Sequence, residues 1–475
     1  MDADVLIAGA EPTGLLLAGD LAEAGVAVTV LERRAEESNV TRAFAVHART
    51  MEELQIRGVA GQLARTGTQI RALRLFDRVN IDLSRLPSEF NSLLITPQFQ
   101  TERVLQDRAD ALGVRIVRGA EVTGVTQDDH GVDVTTRTAS YRASYAVGAD
   151  GVKSAVRTAL GLPYPGHSVI KSIMLADVRL SSPPGDVLAV NGVGDGFAFV
   201  APFGDGWYRV FAWNRRNQVG DSAPLDLEEI REVTRRALST DFGMHDPRWL
   251  SRFHSDERQV PRYRVGRVFL AGDAAHCHSP AGGMGMNTGM QDAANLGWKL
   301  AAAIHGWGDE QLLDSYHEER HRVGRQVLRS SGALIRLALI RPQWAQRARG
   351  AIGHALTAVP PIAATVAGTI SGVGIRYPAP PGTDRRVGTR VPNIALRGGR
   401  LYEALRGGRF VLLGTGAENV ERLLKSTPLC QRDPSERSRS SGPMATWPGW
   451  ERRIGSPPGR ASTSPSGTDR APAQS

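Results

Sequence analysis

Cysteine is almost absent from this chain, with only Cys277 and Cys430 among 475 residues and no C-x-x-C spacing. A chain with so few cysteines has neither a disulfide framework nor a cysteine-rich zinc site. The first four residues, Met1-Asp2-Ala3-Asp4, include two acidic side chains and do not open a signal peptide. We therefore expect a protein of a reducing compartment, the cytoplasm.

Aromatic residues are also scarce, at 6% of the chain, although the net charge is +9 and the pI is about 10. A basic patch with interleaved aromatic residues would indicate a nucleic acid or an anionic lipid as partner. The basic residues here are nearly all arginine and are scattered along the sequence. We interpret them as solvated surface residues and expect no nucleic-acid partner.

One long uncharged segment, residues 351–375, has the length of a membrane span. Its centre, however, carries Pro360-Pro361, and the segment also contains His354 and several Gly, Ser and Thr residues. Proline at the centre of such a segment breaks a helix. We expect two short helices packed on the body of the protein and no membrane contact.

The chain opens with a strand, a glycine-rich turn, a helix and a second strand. Val5 to Ala8 and Val26 to Leu31 are short apolar runs that predict buried parallel strands, with a helix from Leu15 to Ala24 between them. In the turn, Gly9 to Gly14, the first and third glycines of G-x-G-x-x-G are present. Such a turn holds a pyrophosphate at a helix N-terminus. The second glycine is replaced by Glu11, whose carboxylate would repel the phosphates.

Acidic residues follow three of the predicted strands. Glu32 ends the second strand, where a carboxylate accepts hydrogen bonds from a ribose. Asp150 opens the pattern D-G-x-x-S-x-x-R, and Asp273 belongs to Gly272-Asp273 after another buried strand. We expect Asp273 to bind a ribityl hydroxyl and the small residues after it to let a flat ring lie against backbone amides.

A β-rich stretch separates two α/β halves. From about residue 170 to 260 the sequence changes to alternating runs such as 197–200 and 207–213 around a Gly204-Asp205-Gly206 turn. At 475 residues the chain exceeds one ordinary core, so two domains or one domain with a large insertion are expected. The position of the β-rich stretch between two α/β halves favours an insertion into a nucleotide-binding domain.

The run from Gly272 to Leu300 resembles the aromatic-hydroxylase group of FAD-dependent monooxygenases, the class of p-hydroxybenzoate hydroxylase, and within it the branch of rifampicin monooxygenase and the polyketide hydroxylases. Arg42 with His47-Ala48-Arg49 and Pro97-Gln98 with Thr101-Glu102-Arg103 extend the resemblance, which covers about residues 3 to 415. It implies that FAD is contacted by Gly9, Pro12, Thr13, Gly14, Glu32, Arg33, Arg42, Gln98, Asp150, Asp273, Pro280, Gly283, Gly285, Met286 and Asn287.

The same resemblance implies a reaction. NADPH would reduce the flavin without a Rossmann domain of its own, because no second G-x-G-x-x-G occurs. Reduced FAD would react with O2 to a C4a-hydroperoxide and transfer one oxygen atom to a phenolic or polyketide-like small molecule. No catalytic side chain or metal is required. Phe199, Phe211 and Trp213 are candidates for the substrate lining, although plain sheet packing explains them equally well. No sequence feature indicates the oligomeric state.

The resulting fold is an α/β Rossmann-like FAD-binding domain with an inserted, mainly antiparallel β substrate domain and a truncated C-terminal region. The predicted divisions are 1–168 for the first part of the FAD domain, 169–262 for the insertion, 263–387 for the second part with its helices, 388–426 for the remnant of a thioredoxin-like domain, and 427–475 for a disordered, Arg/Ser/Pro/Gly-rich tail. A frameshift is one explanation of that tail. Within the remnant, Tyr402, Leu405, Phe410 and Leu412 are expected to pack on the body.

Two other functions are considered. Glu11 in the glycine turn raises the alternative of a flavin-binding protein with impaired catalysis. His317 to His321 fits the zinc-peptidase pattern H-E-x-x-H, but the position for a third ligand is occupied by Val327. We therefore regard a zinc peptidase as a remote alternative.

Overall fold

The computed structural model describes residues 1–36, 43–76, 79–184, 188–280, 282–396, 398–411 and 413. Arg42, Leu412 and the tail 427–475 lie outside the described residues. The helices are α1 Pro12–Glu23, α2 Ala48–Ile56, α3 Ala60–Ala64, α4 Gln98–Ala111, α5 Ala155–Ala159, α6 Leu227–Leu238, α7 Met284–Ile304, α8 Glu310–Ala338, α9 Gln343–Thr357, α10 Pro360–Ser371 and α11 Leu401–Ala404.

The strands, in chain order, are β1 Val5–Ala8, β2 Val28–Glu32, β3 Ala45–Val46, β4 Thr68–Ile70, β5 Ala72–Leu75, β6 Val79–Asp82, β7 Leu93–Ile95, β8 Arg115–Arg118, β9 Val122–Gln127, β10 Val132–Thr136, β11 Ser140–Ala143, β12 Tyr145–Gly148, β13 Gly166–Leu180, β14 Leu188–Val193, β15 Gly196–Pro202, β16 Tyr208–Asn214, β17 Met244–Gln259, β18 Arg264–Val265, β19 Val268–Leu270, β20 His276–Cys277, β21 Ala395–Leu396 and β22 Gly399–Arg400.

A six-stranded sheet forms the centre of the nucleotide-binding part, in the order β18-β19-β12-β1-β2-β8. Strands β19, β12, β1, β2 and β8 run parallel, and β18 is an antiparallel edge. Every residue of β1 and β2 is buried, as expected for parallel strands covered on both faces. The carboxyl ends of β1, β2, β12 and β19 therefore meet at one edge, where ligands bind in such folds.

The substrate sheet has eight strands in the order β20-β17-β13-β16-β15-β14-β5-β6. Most of its neighbouring strands are antiparallel, but β5 pairs parallel with β14. This confirms the inserted, mainly antiparallel β unit. The sheet also includes β5 and β6, from residues 72–82, and β20. These strands lie outside the predicted range 169–262.

Two hydrophobic cores meet at the centre of the molecule. The first joins the parallel sheet to α1 and α7, with Leu15, Leu16 and Leu296 fully buried. The second joins one face of the substrate sheet to Phe44 and Ala48 of the nucleotide-binding part. The substrate sheet is thereby packed directly against the segment around β3.

The C-terminal helices lie across these units. Helices α9 and α10 are separated by a sharp bend of 103°. This pair meets the length and composition test for a span only when both helices are taken together, and no single helix of the described residues meets it. Beyond them, Tyr402, Leu405 and Phe410 are buried, the first two in a small core that includes Ile56 of α2.

Candidate functional site

The glycine turn between β1 and α1 is formed by close backbone contacts. Gly9 has a φ of +103°, and a Cβ there would lie 2.4 Å from the Ala149 carbonyl oxygen. A Cβ on Gly14 would lie 2.0 Å from the Gly9 carbonyl oxygen. Both positions therefore require glycine, and the N-terminus of α1 opens next to the ends of β1 and β12.

Glu11, at the position of the missing glycine, is the N-cap residue of α1 with φ −85° and ψ 174°. This is extended backbone, which any residue adopts without strain. Its half-buried side chain makes no capping hydrogen bond, and Pro12 follows at the first helical position. Glu11 therefore affects the site through its charge and its size and does not strain the turn.

Glu32, at the end of β2, is 3% exposed and is held in place by hydrogen bonds. One carboxylate oxygen accepts from the Ala10 N–H at 2.7 Å, and the other accepts from the backbone N–H and the Nε–H of Arg34 at 2.9 Å. Arg33 is exposed. The Glu32 carboxylate is thus paired with the Arg34 guanidinium, a contact that the sequence analysis missed.

A second carboxylate stands beside this pair. Gln98, the first residue of α4, accepts a hydrogen bond from the Ala43 N–H at 3.0 Å and donates one to Glu102 Oε1 at 2.7 Å. Arg34 Nη1 lies 3.8 Å from Glu102 Oε2. Burial raises the pKa of Glu102 to about 7; Glu11 and Glu32 also raise it, while Gln98 and Arg34 oppose the shift. Three carboxyl groups, those of Glu11, Glu32 and Glu102, therefore lie near the end of β2.

The two later motifs are tied together by hydrogen bonds. Asp150 accepts from the amides of Ala155 and Val156, at 2.7 and 3.2 Å, and so caps α5. Arg157, at the end of the D-G-x-x-S-x-x-R pattern, donates to the Ala274 carbonyl at 3.1 Å. The Tyr164 hydroxyl donates to the Asp273 carbonyl at 2.9 Å. These bonds hold the Gly272-Asp273 turn against the end of β12.

Thr13 connects this turn to the glycine loop. A Cβ on Gly272 would lie 2.8 Å from Thr13 Oγ1, and one on Gly289 would lie 2.4 Å from it. The exposed Asp273 carboxylate faces the first turn of α7, because its Oδ1 is 3.9 Å from a Cβ position on Gly285. The sequence motifs around residues 9–14, 150–157 and 272–289 therefore form one site.

Asn287 joins α7 to β3. Its Oδ1 accepts from the His47 N–H at 2.8 Å, and its Nδ2 donates to the carbonyls of Ala45 and Gly283 at 2.8 Å. Pro280 closes the turn before α7 by accepting from the Gly283 N–H at 3.0 Å. Both ends of the Asn287 side chain are thus bonded to backbone, and Asn287 holds Gly283 and the first turn of α7 against β3. Met286, half-buried on α7, packs against the first core.

Several buried polar atoms around this region have no hydrogen-bond partner within the described residues. They are Thr101 Oγ1 of α4, Asp150 Oδ1, His278 Nδ1 and Ser279 Oγ. Buried polar atoms are normally satisfied by protein, water or ligand. Together with the buried Glu32 and the open N-terminus of α1, they fit a dinucleotide cofactor such as FAD. Among the described residues, the charge of Glu11 opposes the pyrophosphate, and Glu102 adds further negative charge nearby.

A buried ionic network supports the Gly272-Asp273 turn from behind. Asp292 Oδ2 accepts from the Gly272 N–H at 3.1 Å and lies 2.6 Å from His276 Nε2, and its Oδ1 accepts from Arg320 Nε at 2.6 Å. Burial opposes ionisation of Asp292, but Arg320 and His276 hold its pKa below the ordinary value. Sequence reasoning found the motif but not this support, since Arg320 is 48 residues beyond Gly272.

The aromatic candidates for the substrate side are buried in the second core. Phe199 and Phe211 have ring centroids 5.5 Å apart, and both lie within 5.6 Å of the Phe44 ring. Trp213, 6% exposed, donates from Nε1 to the Lys171 carbonyl at 2.9 Å. These residues therefore lie on the face of the substrate sheet that packs against the segment next to β3. The rings of Phe199 and Phe211 are in contact with the Phe44 ring.

The zinc-peptidase alternative receives no support. His317 Nδ1 accepts from the Tyr263 N–H at 3.3 Å, and the rings of His317 and His321 pack on the Tyr263 ring at 5.9 and 5.3 Å. Over the part of the chain that the structure describes, no group of three or more His, Cys, Asp or Glu side chains is placed to hold a metal. The two half-buried histidines pack on the buried Tyr263 ring.

Comparison with known proteins agrees with this geometry. A family model described as an FAD binding domain matches residues 2–331. An aromatic compound monooxygenase of Bacillus subtilis is 37% identical, over 93% of this chain and 91% of its own length. Rifampicin monooxygenase of Streptomyces venezuelae is 38% identical, over 86% and 87%. The structure of an anhydrotetracycline hydroxylase from Streptomyces rimosus superposes with a TM-score of 0.77 at 38% identity, over 88% and 86%. The chain therefore belongs to the FAD-dependent aromatic monooxygenases, together with rifampicin monooxygenase and the polyketide hydroxylases.

Proposed function

We propose that this monooxygenase hydroxylates a phenolic or polyketide-like aromatic small molecule, with NADPH as reductant and O2 as oxygen donor. The observation that carries the proposal is the junction made by Thr13, which lies against both Gly272 and Gly289. This junction brings the glycine turn, the Gly272-Asp273 turn and the start of α7 to one place. Relatives named for rifampicin and for anhydrotetracycline support a polycyclic aromatic substrate.

The chain's own residues would bind and orient the cofactor. The N-terminus of α1 would face the pyrophosphate, and Glu32 would accept hydrogen bonds from the ribose. Asp273 would accept one from the ribityl chain, and residues 282–285 would lie against the ring. FAD supplies the electron transfer and oxygen activation when it is bound. Gln98 and Asn287 act indirectly, because their side chains hold the loops at 43–47 and 280–283 in position.

The substrate would lie between the flavin site and the substrate sheet. Phe44, Phe199 and Phe211 form an apolar wall there. The fully buried Arg209, paired with Asp177 at 2.8 Å, lies 5.7 Å from the centre of the Phe44 ring. An apolar, water-poor wall favours a flat aromatic molecule and limits loss of the reactive oxygen to water. In this reaction no side chain acts as a nucleophile and no metal takes part.

The test is NADPH oxidation by the FAD-loaded protein with and without a panel of polycyclic phenols. We expect at least one phenol to accelerate NADPH oxidation and to gain a single oxygen atom, which mass spectrometry with ¹⁸O2 traces to dioxygen. Asp273→Ala should lower FAD uptake. EDTA should have no effect; loss of activity in EDTA and its return with zinc would favour the metallopeptidase. FAD binding without any stimulated NADPH oxidation would favour the impaired flavin protein.

A further inference from the structure

Helices α9 and α10 expose an unusual amount of apolar side chain. Trp344 is 75% exposed, Ile352 60% and Leu356 46%, all on α9. At the bend and the start of α10, Val359 is 43% exposed and Ile362 36%. Contiguous exposed apolar residues of this size mark an interaction site more often than scattered single ones do. We call these five residues the α9–α10 surface.

The residues on α9 share one face. Trp344, Ile352 and Leu356 are separated by multiples of four, with Ala348 between them, so they form a single ridge along the helix. The opposite side packs on the body: Gly350 is buried, and a Cβ on Gly353 would lie 2.5 Å from Val79 Cγ2. Helix α9 therefore packs on the body through one face and leaves the other face exposed.

The same region carries charge of one sign. Residues 341–375, which include both helices, contain three arginines, Arg341, Arg347 and Arg349, and no aspartate, glutamate or lysine. Arg341 and Arg347, beside Trp344 in sequence, are exposed. Asp82 of β6, the strand under α9, is paired with Arg85 at 3.3 Å. Asp195 is paired with Arg216 at 2.8 Å, and Arg216 chiefly, with Arg341 contributing, lowers the pKa of Asp195.

We propose that the α9–α10 surface lies on an anionic lipid membrane. Apolar side chains that include a tryptophan, flanked by arginine, are the composition of helices that lie in the interface plane of a bilayer. The bend between the two helices fits attachment to a surface. A second copy of the chain is a poorer occupant, because a two-fold contact would bring the same arginines together. The proposal does not depend on the reaction that the protein catalyses.

The test is co-sedimentation of the full-length FAD-loaded protein with vesicles of phosphatidylcholine alone or with phosphatidylglycerol added. We expect binding to the anionic vesicles that weakens at high salt, since exposed charges are screened. The combined variant Trp344→Ser, Ile352→Ser and Leu356→Ser should lose binding at least tenfold. Arg341→Gln with Arg347→Gln should lower it on anionic vesicles. The matched control is Val219→Ser with Trp249→Ser, exposed apolar residues elsewhere, which should bind as the wild type does.

Circular dichroism and bound FAD show whether each variant is folded. The idea is overturned if the wild type does not sediment with anionic vesicles, or if the α9 triple variant binds as well as the wild type does. Sedimentation velocity provides a further check. A concentration-dependent dimer that the triple variant abolishes, with no vesicle binding, would show that the surface joins two copies of the chain and would also overturn the proposal.

Discussion

Replacing Glu11 by glycine is expected to tighten FAD binding. Glu11 is the N-cap residue of α1, where the backbone is extended and does not demand glycine. The substitution therefore removes a carboxylate from the pyrophosphate position and leaves the turn intact. A single unit charge at roughly 8 Å from a phosphate, with an effective dielectric of roughly 20–40, costs about 1–2 kcal/mol. The dissociation constant should fall about 5- to 30-fold.

The measurement is titration of the apoprotein with FAD, followed by quenching of flavin fluorescence, for wild type, Glu11→Gly and Glu11→Gln. Glutamine keeps most of the size and removes the charge, so it should give most of the gain if repulsion is the cause. The gain should shrink at high salt. The matched control is Glu232→Gln on α6, an exposed glutamate remote from the site, which should change nothing.

The apoprotein gives a second readout. An acidic residue in the first turn or at the cap stabilises a helix by about 0.3–1 kcal/mol. Glu11→Gly should therefore lower the free energy of unfolding slightly while it raises FAD affinity, so the two effects have opposite signs. An unchanged or weaker FAD affinity in both Glu11 variants would refute the electrostatic reasoning. A higher FAD affinity in Glu11→Gly but not in Glu11→Gln would assign the effect to side-chain size.

Three further predictions follow from the structure. Burial raises the pKa of Glu102 to about 7 from an ordinary 4.5, so its ionised form destabilises the fold. The free energy of unfolding and the FAD affinity should both fall as pH rises through this range. Glu102→Gln should flatten the pH profiles measured by denaturant unfolding and FAD titration. Asp273→Ala should weaken FAD binding by about 1.5–3 kcal/mol, the worth of a hydrogen bond to a charged group, with little change in the melting temperature because Asp273 is exposed. Asp292→Asn should cost about 3–5 kcal/mol of stability in chemical unfolding, because it removes the carboxylate partner of the buried Arg320 guanidinium. Since the pKa of Asp292 is lowered, the wild type should lose this contribution as pH falls below the ordinary aspartate range. A variant as stable as the wild type at neutral pH would contradict the role of the network.

Much of the site was predictable from the sequence because its parts are local. A glycine turn between a strand and a helix, and an acidic residue at a strand end, are patterns of a few neighbouring residues. The structure accordingly places Gly9, Gly14 and Glu32 at the carboxyl edge of the parallel sheet. The pairing of Arg34 with Glu32 was not predictable in this way, because only the path of the chain after β2 turns the Arg34 side chain toward Glu32.

The sequence by itself determined the fold class, because strand and helix periodicity and short glycine-rich motifs depend on near neighbours. It also indicated the family, through the resemblance of the continuous run from Gly272 to Leu300. Only the tertiary structure decided which distant residues complete the site and the sheets. Glu102 lies beside Arg34, which binds Glu32 next to the glycine turn, and Arg320 binds Asp292. Strands β5 and β6 join a sheet formed mostly by residues about a hundred positions later. The physical reason is that these contacts depend on how whole elements pack, and no local pattern records that packing.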